Sequence, residues 1–260
     1  NYEREPFDNP EFRRAFSLAV DRQALVETVL LGQGRPGTQG YPHPDSPWTN
    51  PENEQPFDRD EARRILDEFG FTDGDGDGTR GTPEGELLEF TLKVAGNDPA
   101  QLRAAELVAE QLAEIGVALT VQTLDPASMD ALFDSRDFDV SLGSITAHGV
   151  ADPTQFIMSH RSGYLWDAPE LEYPEWDALF EEWRQTTTVE DRTEVLFEMQ
   201  ELFNSQPTSV VLYYPEEHWA FRPDAYDDWA ESPGYGVVHK WSFLPEEVRN
   251  EANAIVGKPG

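Results

Sequence analysis

Apolar residues recur at helical spacing from Glu11 to Leu30, at Phe12, Phe16, Ala19, Val20, Val29 and Leu30, with Gly32 beyond the end as a stop. The pattern predicts one helix there. Residues 32 to 57 carry Pro36, Pro42, Pro44, Pro47, Pro51 and Pro56 among several glycines, so a surface crossing without regular structure is expected. Tyr41 and Trp48 stand in it as aromatic side chains able to contact a ligand. Asp58 caps a second helix with Glu61 at the capping-box position, Ala62, Ile65, Leu66 and Phe69 form its buried face, and Gly70 ends it. From Leu87 to Leu124 the period changes twice. Leu88, Phe90, Leu92 and Val94 alternate as a strand, Asp98 and Pro99 open a helix with Leu102, Ala105, Val108, Leu112 and Ile115 on one side, and Val117, Leu119 and Val121 alternate again. A helix of this length between two strands implies a parallel pair with a right-handed crossover.

The unit repeats. Asp125 and Pro126 start a short helix with Met129, Leu132 and Phe133, and Phe138, Val140 and Leu142 read as a third strand. After an irregular stretch from Ala147 to Tyr173, two helices are expected, one with Trp176, Leu179, Phe180 and Trp183, the next with Leu196, Met199, Leu202 and Phe203. Their aromatic stripes read as core, not as a cofactor site. Ser209 to Tyr214 is a buried-strand candidate, and the last forty residues show no periodicity despite Trp219, Trp229, Tyr235 and Trp241. The whole describes an α/β fold, a mixed sheet flanked by helices, over 1–215, with an irregular aromatic tail over 216–260.

Residues 73 to 84, DGDGDGTRGTPE, fill the calcium-loop template. Asp73, Asp75 and Asp77 on alternate positions can converge on one hard cation, Thr79 can offer its carbonyl, and Glu84 can close the shell; magnesium would demand a tighter octahedron. A helix precedes the loop and a strand follows it. Without the second helix of an EF-hand, the expected role for calcium is structural. The same Asp-Gly steps also make ordinary solvated turns, so that reading stays open.

The composition changes the picture once more. At 260 residues and 38% hydrophobic the chain can bury a real core, and its formal charge is −32, from 19 basic and 51 acidic residues spread along every segment. Only Lys93, Lys240 and Lys258 are lysines. Such a surface is expected of a protein from a high-salt habitat, where the Debye length falls to about 3 Å and carboxylate repulsion is screened. Nucleic acid and anionic membranes are excluded as partners for want of a basic patch. There is no cysteine, so no disulfide, thiolate nucleophile or cysteine-bound metal. No run approaches the ~18 apolar residues of a membrane span, and the opening Asn1-Tyr2-Glu3-Arg4 suggests a processed start or a fragment.

The order of segments resembles the second half of the family 5 extracellular solute-binding proteins that serve peptide and nickel ABC importers. The blocks that carry the likeness are NPEFRRAFSLAVDR from Asn9 to Arg22, the spacing of Gly32, Pro36 and Pro42, the helix from Phe57 to Gly70, the acidic loop, Leu107 to Val121, Asp137 to Val140, Asp152-Pro153 with Phe156, Pro174 to Asp177, and Pro207 to Tyr214. The resemblance implies a type II periplasmic-binding-protein lobe, one wall of a cleft that closes on a peptide or other small solute and is presented to a membrane permease. It further implies a monomer outside the cell, anchored, as a lipoprotein is, through a preceding part that would hold the first lobe. The tail would return toward that lobe. In the peptide binders an aspartate pairs with the peptide's amino terminus; here Gly149 takes that place and Thr146 stands near the family's tryptophan. Thr146, Ala147, His148 and Gly149 are therefore expected to face the solute, with Tyr41, and His148 can donate to a carboxylate or bind a chelated metal. A loop histidine is also commonly just exposed.

Catalysis is not expected. The chain has no G-x-S-x-G elbow, no H-E-x-x-H pair and no phosphate loop, and nothing singles out one carboxylate pair among its 51 acidic residues. The competing reading is a calcium-stabilised cell-surface structural module that binds no solute. From the charge alone, the thermal midpoint should rise steeply between dilute and molar potassium chloride; a flat response would contradict adaptation to salt.

Overall fold

The computed structural model describes residues 1–38, 40, 42–52, 56–144, 153–164, 172–230, 237, 238 and 240–248. The chain divides into two compact units, 1–215 and 216–260. In the first unit, the single helix expected over Glu11 to Leu30 is two, α1 (Pro10–Leu18) and α2 (Arg22–Val29). The break is caused by Asp21, whose backbone is extended and whose carboxylate accepts the Ala24 N–H at 2.9 Å, starting a new helix. Ending α1 frees carbonyls, and Arg22 takes them. Its guanidinium donates to the Ser17 and Val20 carbonyls at 3.2 Å each, to Ser17 Oγ at 2.8 Å and, through Nε, to the Val211 carbonyl at 2.9 Å. The apolar stripe runs straight through this break, which is why periodicity does not register it.

The strand β1 (Gly34–Pro36) lies in the stretch expected to be irregular, and it pairs antiparallel with β5 (Tyr213–Pro215). Helix α3 (Arg59–Glu68) is capped as expected, with Asp58 accepting the Glu61 N–H at 2.9 Å. The Glu61 carboxylate turns instead to Arg64 and Arg14, which hold its pKa down at about 2 and tie α3 to α1.

A βαβαβ run follows: β2 (Glu89–Ala95), α4 (Pro99–Ala113), β3 (Ala118–Leu124), α5 (Pro126–Ser135) and β4 (Val140–Leu142). All three strands are parallel, in the order β3-β2-β4, with Leu92 opposite Val121 on one side and Val140 on the other. Parallel and antiparallel pairing thus fall in two separate sheets. Both helices open on Asp-Pro: Asp98 accepts from the Ala100 and Gln101 amides, Asp125 from those of Ala127 and Ser128. Leu88, just before β2, and Leu92 and Val94 on it pack with Phe12, Leu25, Ile65, Leu66 and Leu112 in the larger core.

A second core gathers α6 (Thr154–Ser159), α7 (Pro174–Gln185) and α8 (Val189–Ser205) around Phe156, Trp176, Met199 and Phe203. Trp176 and Phe180 are core, as their spacing predicts, and Trp183 packs half-buried against it. Helix α6 falls in the stretch expected to be irregular; six residues are too few to show a period. Gln200 inside α8 donates to the Trp48 carbonyl at 2.7 Å and accepts the Asn50 N–H at 2.9 Å, which fastens the proline-rich loop to this core. No helix among the described residues is long and apolar enough to cross a membrane.

In the second unit, Tyr226, Trp229 and Phe243 form an aromatic cluster, and buried Ser242 accepts the Ala230 N–H at 3.0 Å. Its described residues include a 3-10 turn at Lys240–Phe243 and a helical turn over 246–248. Trp219, Phe221, Val238, Phe243 and Val248 are exposed.

Burial fixes one acid response. His160 is fully enclosed by the rings of Phe156, Trp176 and Phe203, its Nδ1 bonded to the Phe156 carbonyl at 2.7 Å, and burial pushes its pKa from 6.5 to about 4. The unfolded chain takes up this proton first, so stability falls as pH drops from about 6.5 through about 4, by on the order of 3 kcal/mol. His160→Gln should remove that part of the acid limb in pH-dependent urea melts, and parallel wild-type and variant curves would contradict it.

Candidate functional site

In open α/β sheets, ligands bind in the crevice outside the carboxyl ends of the parallel strands. Here those ends are Ala95, Leu124 and Leu142, continued by Gly96 to Asp98, by Asp125 and by Gly143 to Ser144. Gly96 N–H closes the edge on the Leu124 carbonyl at 2.8 Å. Two carboxylates stand at it. Asp98 is also held by Gln101 Nε2 at 2.9 Å, and Ser128, through its hydroxyl at 2.6 Å and its amide, lowers the Asp125 pKa. In the sequence these aspartates read only as helix caps, which they are. What the sequence does not show is that the two caps share one rim.

The β1–β5 pair stands beside this rim. The phenol of Tyr213 on β5 has its pKa raised by burial and, secondarily, by the Asp98 carboxylate. From β1 the chain enters the loop Gly37 to Asn50. Gly37 donates to the Leu212 carbonyl at 3.0 Å, and a Cβ there would overlap the Val211 carbonyl. At Gly40 the backbone is left-handed, with φ of 79°, and a Cβ would overlap the ring of Phe156 on α6. Tyr214 Oη lies 2.9 Å from Thr38 Oγ1, 3.3 Å from the Gly40 carbonyl and 3.0 Å from the Pro42 carbonyl. His43 sets its ring edgewise on that of Tyr214 and accepts the Asp45 N–H on Nδ1 at 3.1 Å; burial lowers its pKa against the pull of Asp45.

Tyr41, Thr146, Ala147, His148 and Gly149, the expected solute contacts, lie outside the described residues. Gly40 meets Phe156 on α6.

The acidic loop is a separate site. Carboxylate oxygens of Asp73, Asp75 and Asp77 lie within 4.8 Å of one another, all exposed. Glu84 falls outside that group, carried away by the turn through Gly85, whose N–H bonds the Thr82 carbonyl. Asp73 accepts the Gly76 and Gly78 amides at 2.7 and 3.0 Å, Asp75 that of Asp77 at 3.2 Å, and Asp77 that of Thr79 at 2.8 Å. The next residue anchors the loop: Arg80 donates to the Ile115 and Phe71 carbonyls at 2.9 and 2.7 Å.

The first unit is thus an α/β lobe with a rim at its parallel-strand ends and a separately tethered loop after β1. The chain belongs to the bacterial extracellular solute-binding proteins, family 5, whose middle-region model matches residues 1–166. It is 25% identical over 259 residues to the oligopeptide-binding protein AppA of Bacillus subtilis, covering 93% of this chain and 45% of that protein. It is 30% identical over 136 residues to the glutathione-binding protein GsiB of Salmonella typhimurium, covering 52% of this chain and 24% of that one. The solved structure of AppA with a nonapeptide superposes with a TM-score of 0.73 at 22% identity, over 83% of this chain and 43% of AppA. That of NikA from Brucella suis with Fe(III)-EDTA gives 0.69 at 23% identity, over 83% and 44%. These superpositions show the fold, which is that of the periplasmic-binding-protein lobe expected from the sequence. The chain spans less than half the length of these relatives.

Proposed function

We propose that this chain forms one wall of a solute-capture protein of an ABC importer, which binds a peptide or other small solute between two lobes and delivers it to a membrane permease. Family membership carries the reading, and the strand-end rim flanked by the Tyr214-tethered loop supports it as the wall. Nothing in the role requires catalysis. The protein would work outside the cell as a monomer held at the surface, and residues 216–260, with their exposed Trp219, Phe221 and Phe243, would lie partly against the other lobe. Gly149 in place of an ammonium-binding aspartate argues against a peptide held by its amino terminus; His148 and Thr146 favour a solute with carboxylate or chelated-metal character. In differential scanning fluorimetry the intact protein should gain stability from its solute, by about 2.7 kcal/mol at 100 times Kd, in a screen of peptides, glutathione and metal chelates. Tight binding by residues 1–260 alone would contradict the two-lobe reading.

A second, compatible reading concerns the acidic loop, favoured by its three converging carboxylates. Asp73, Asp75 and Asp77 would hold a calcium ion with the Thr79 carbonyl and water, as a structural clamp. Calcium should then raise the thermal midpoint of chelator-treated protein and Asp75→Ala should abolish the response; identical melts with and without chelator would remove the metal.

A further inference from the structure

Tyr214 meets the loop that follows β1 in three ways. Its backbone pairs with Arg35 on β1, before the loop begins. Its hydroxyl reaches Thr38 Oγ1 and the carbonyls of Gly40 and Pro42. Its ring carries the edge of the His43 ring, with centroids 5.0 Å apart. Thr38 Oγ1 itself donates to the Pro42 carbonyl at 2.8 Å, so toward Tyr214 it is an acceptor, and the one phenol proton is shared among Thr38 Oγ1 and the carbonyls of Gly40 and Pro42. One side chain therefore closes a loop that has glycines at 37 and 40 and would otherwise sample many backbone states.

Tyr214 also acts electrostatically on buried Arg22. Tyr214 belongs to neither cluster, whereas its neighbour Tyr213 packs against the larger one. Thr38, Gly40 and Pro42, which the hydroxyl reaches, all lie in the loop. What the contact does fix is the loop's course past α6, where Gly40 meets Phe156.

Resting on the solute-capture reading, the geometry points to Tyr214 as the positioning residue of the solute-facing loop: its hydroxyl holds Thr38, Gly40 and Pro42 in the conformation presented to the ligand, so that affinity depends on a group that does not touch the solute. The loop comes pre-ordered, and the entropy of ordering it is not subtracted from binding.

The test compares wild type, Tyr214→Phe and Thr38→Val in the intact protein. Amide hydrogen exchange at residues 37 to 43 should accelerate about tenfold in each variant, as expected for loss of about one hydrogen bond, while α1, α4 and β2 keep their protection and the thermal midpoint stays near that of wild type. Affinity for the probes, glutathione and a nonapeptide, should weaken about five- to tenfold for whichever wild type binds. The double variant should be no worse than either single one, because both remove the same network. Unchanged loop exchange, or faster exchange with unaltered affinity, overturns the proposal and leaves the solute reading standing. Acceleration throughout unit 1 with a fall in midpoint makes Tyr214 a general stabiliser and also overturns it; if Tyr214→Phe does not fold, Thr38→Val decides by the same criteria. A wild type that binds neither probe, nor any metal chelate of the same screen, removes the solute-facing role from the loop together with the reading it rests on, and the wild-type control alone reports that failure.

Discussion

The first unit depends on a buried positive charge. Arg22 is 4% exposed, makes no ion pair among the described residues, and is pushed by burial to a pKa of about 10, which still leaves it protonated at neutral pH. Its charge is offset by carbonyl dipoles from Ser17, Val20 and Val211 and by the Ser17 hydroxyl. Each acceptor would cost about 1 to 3 kcal/mol if left buried and unpaired. The guanidinium therefore makes the α1–α2 break possible and binds it to the strand segment that enters β5. Gln111 of α4 completes the joint, accepting the Asp21 N–H at 2.9 Å and returning a bond to the Asp21 carbonyl at 3.3 Å.

From that joint the site follows. The Val211 carbonyl that accepts from Arg22 is also the atom that leaves no room for a Cβ at Gly37, and the adjoining Leu212 carbonyl takes the Gly37 N–H. Two residues on, Tyr214 closes the loop. A chain of direct contacts thus leads from a helix break in the core to the loop that follows β1.

The elements with a clear period were legible in the sequence: α3 with its Asp58 cap, the β2–α4–β3 unit with its Asp98-Pro99 start, and α7 and α8 with their aromatic stripes. Lost were the features made by single side chains. Asp21 and Arg22 interrupt no apolar stripe; β1 is three residues, too short to alternate; the strand expected over Ser209 to Tyr214 is present only from Tyr213 to Pro215 and is half-buried; and nothing in the sequence pairs Tyr214 with a loop some 170 positions earlier. The arginines were legible in number but not in use. Sixteen arginines against three lysines look like ion-pair partners, and Arg14, Arg59 and Arg136 are, but three of the most enclosed also reach carbonyls: Arg13 those of Phe7 and Pro207, Arg22 those of Ser17, Val20 and Val211, and Arg80, beside its pair with Asp67, those of Phe71 and Ile115. The planar fork suits that task, and a short hydrogen bond out of solvent is screened by salt far less than a surface ion pair. This is consistent with a chain whose carboxylates outnumber its cations so heavily.

Native-state hydrogen exchange tests the joint most directly. The amides of Ala19, Leu25 and Gly37 report α1, α2 and the loop entry, through their bonds to Ala15, Asp21 and Leu212. With Arg22 at the centre, all three should open together, and Arg22→Met should lower their opening free energies by the same amount while α7 and α8 lose less. Independent opening of any of the three in the wild type, or an Arg22→Met chain in which only one is weakened, would contradict the account.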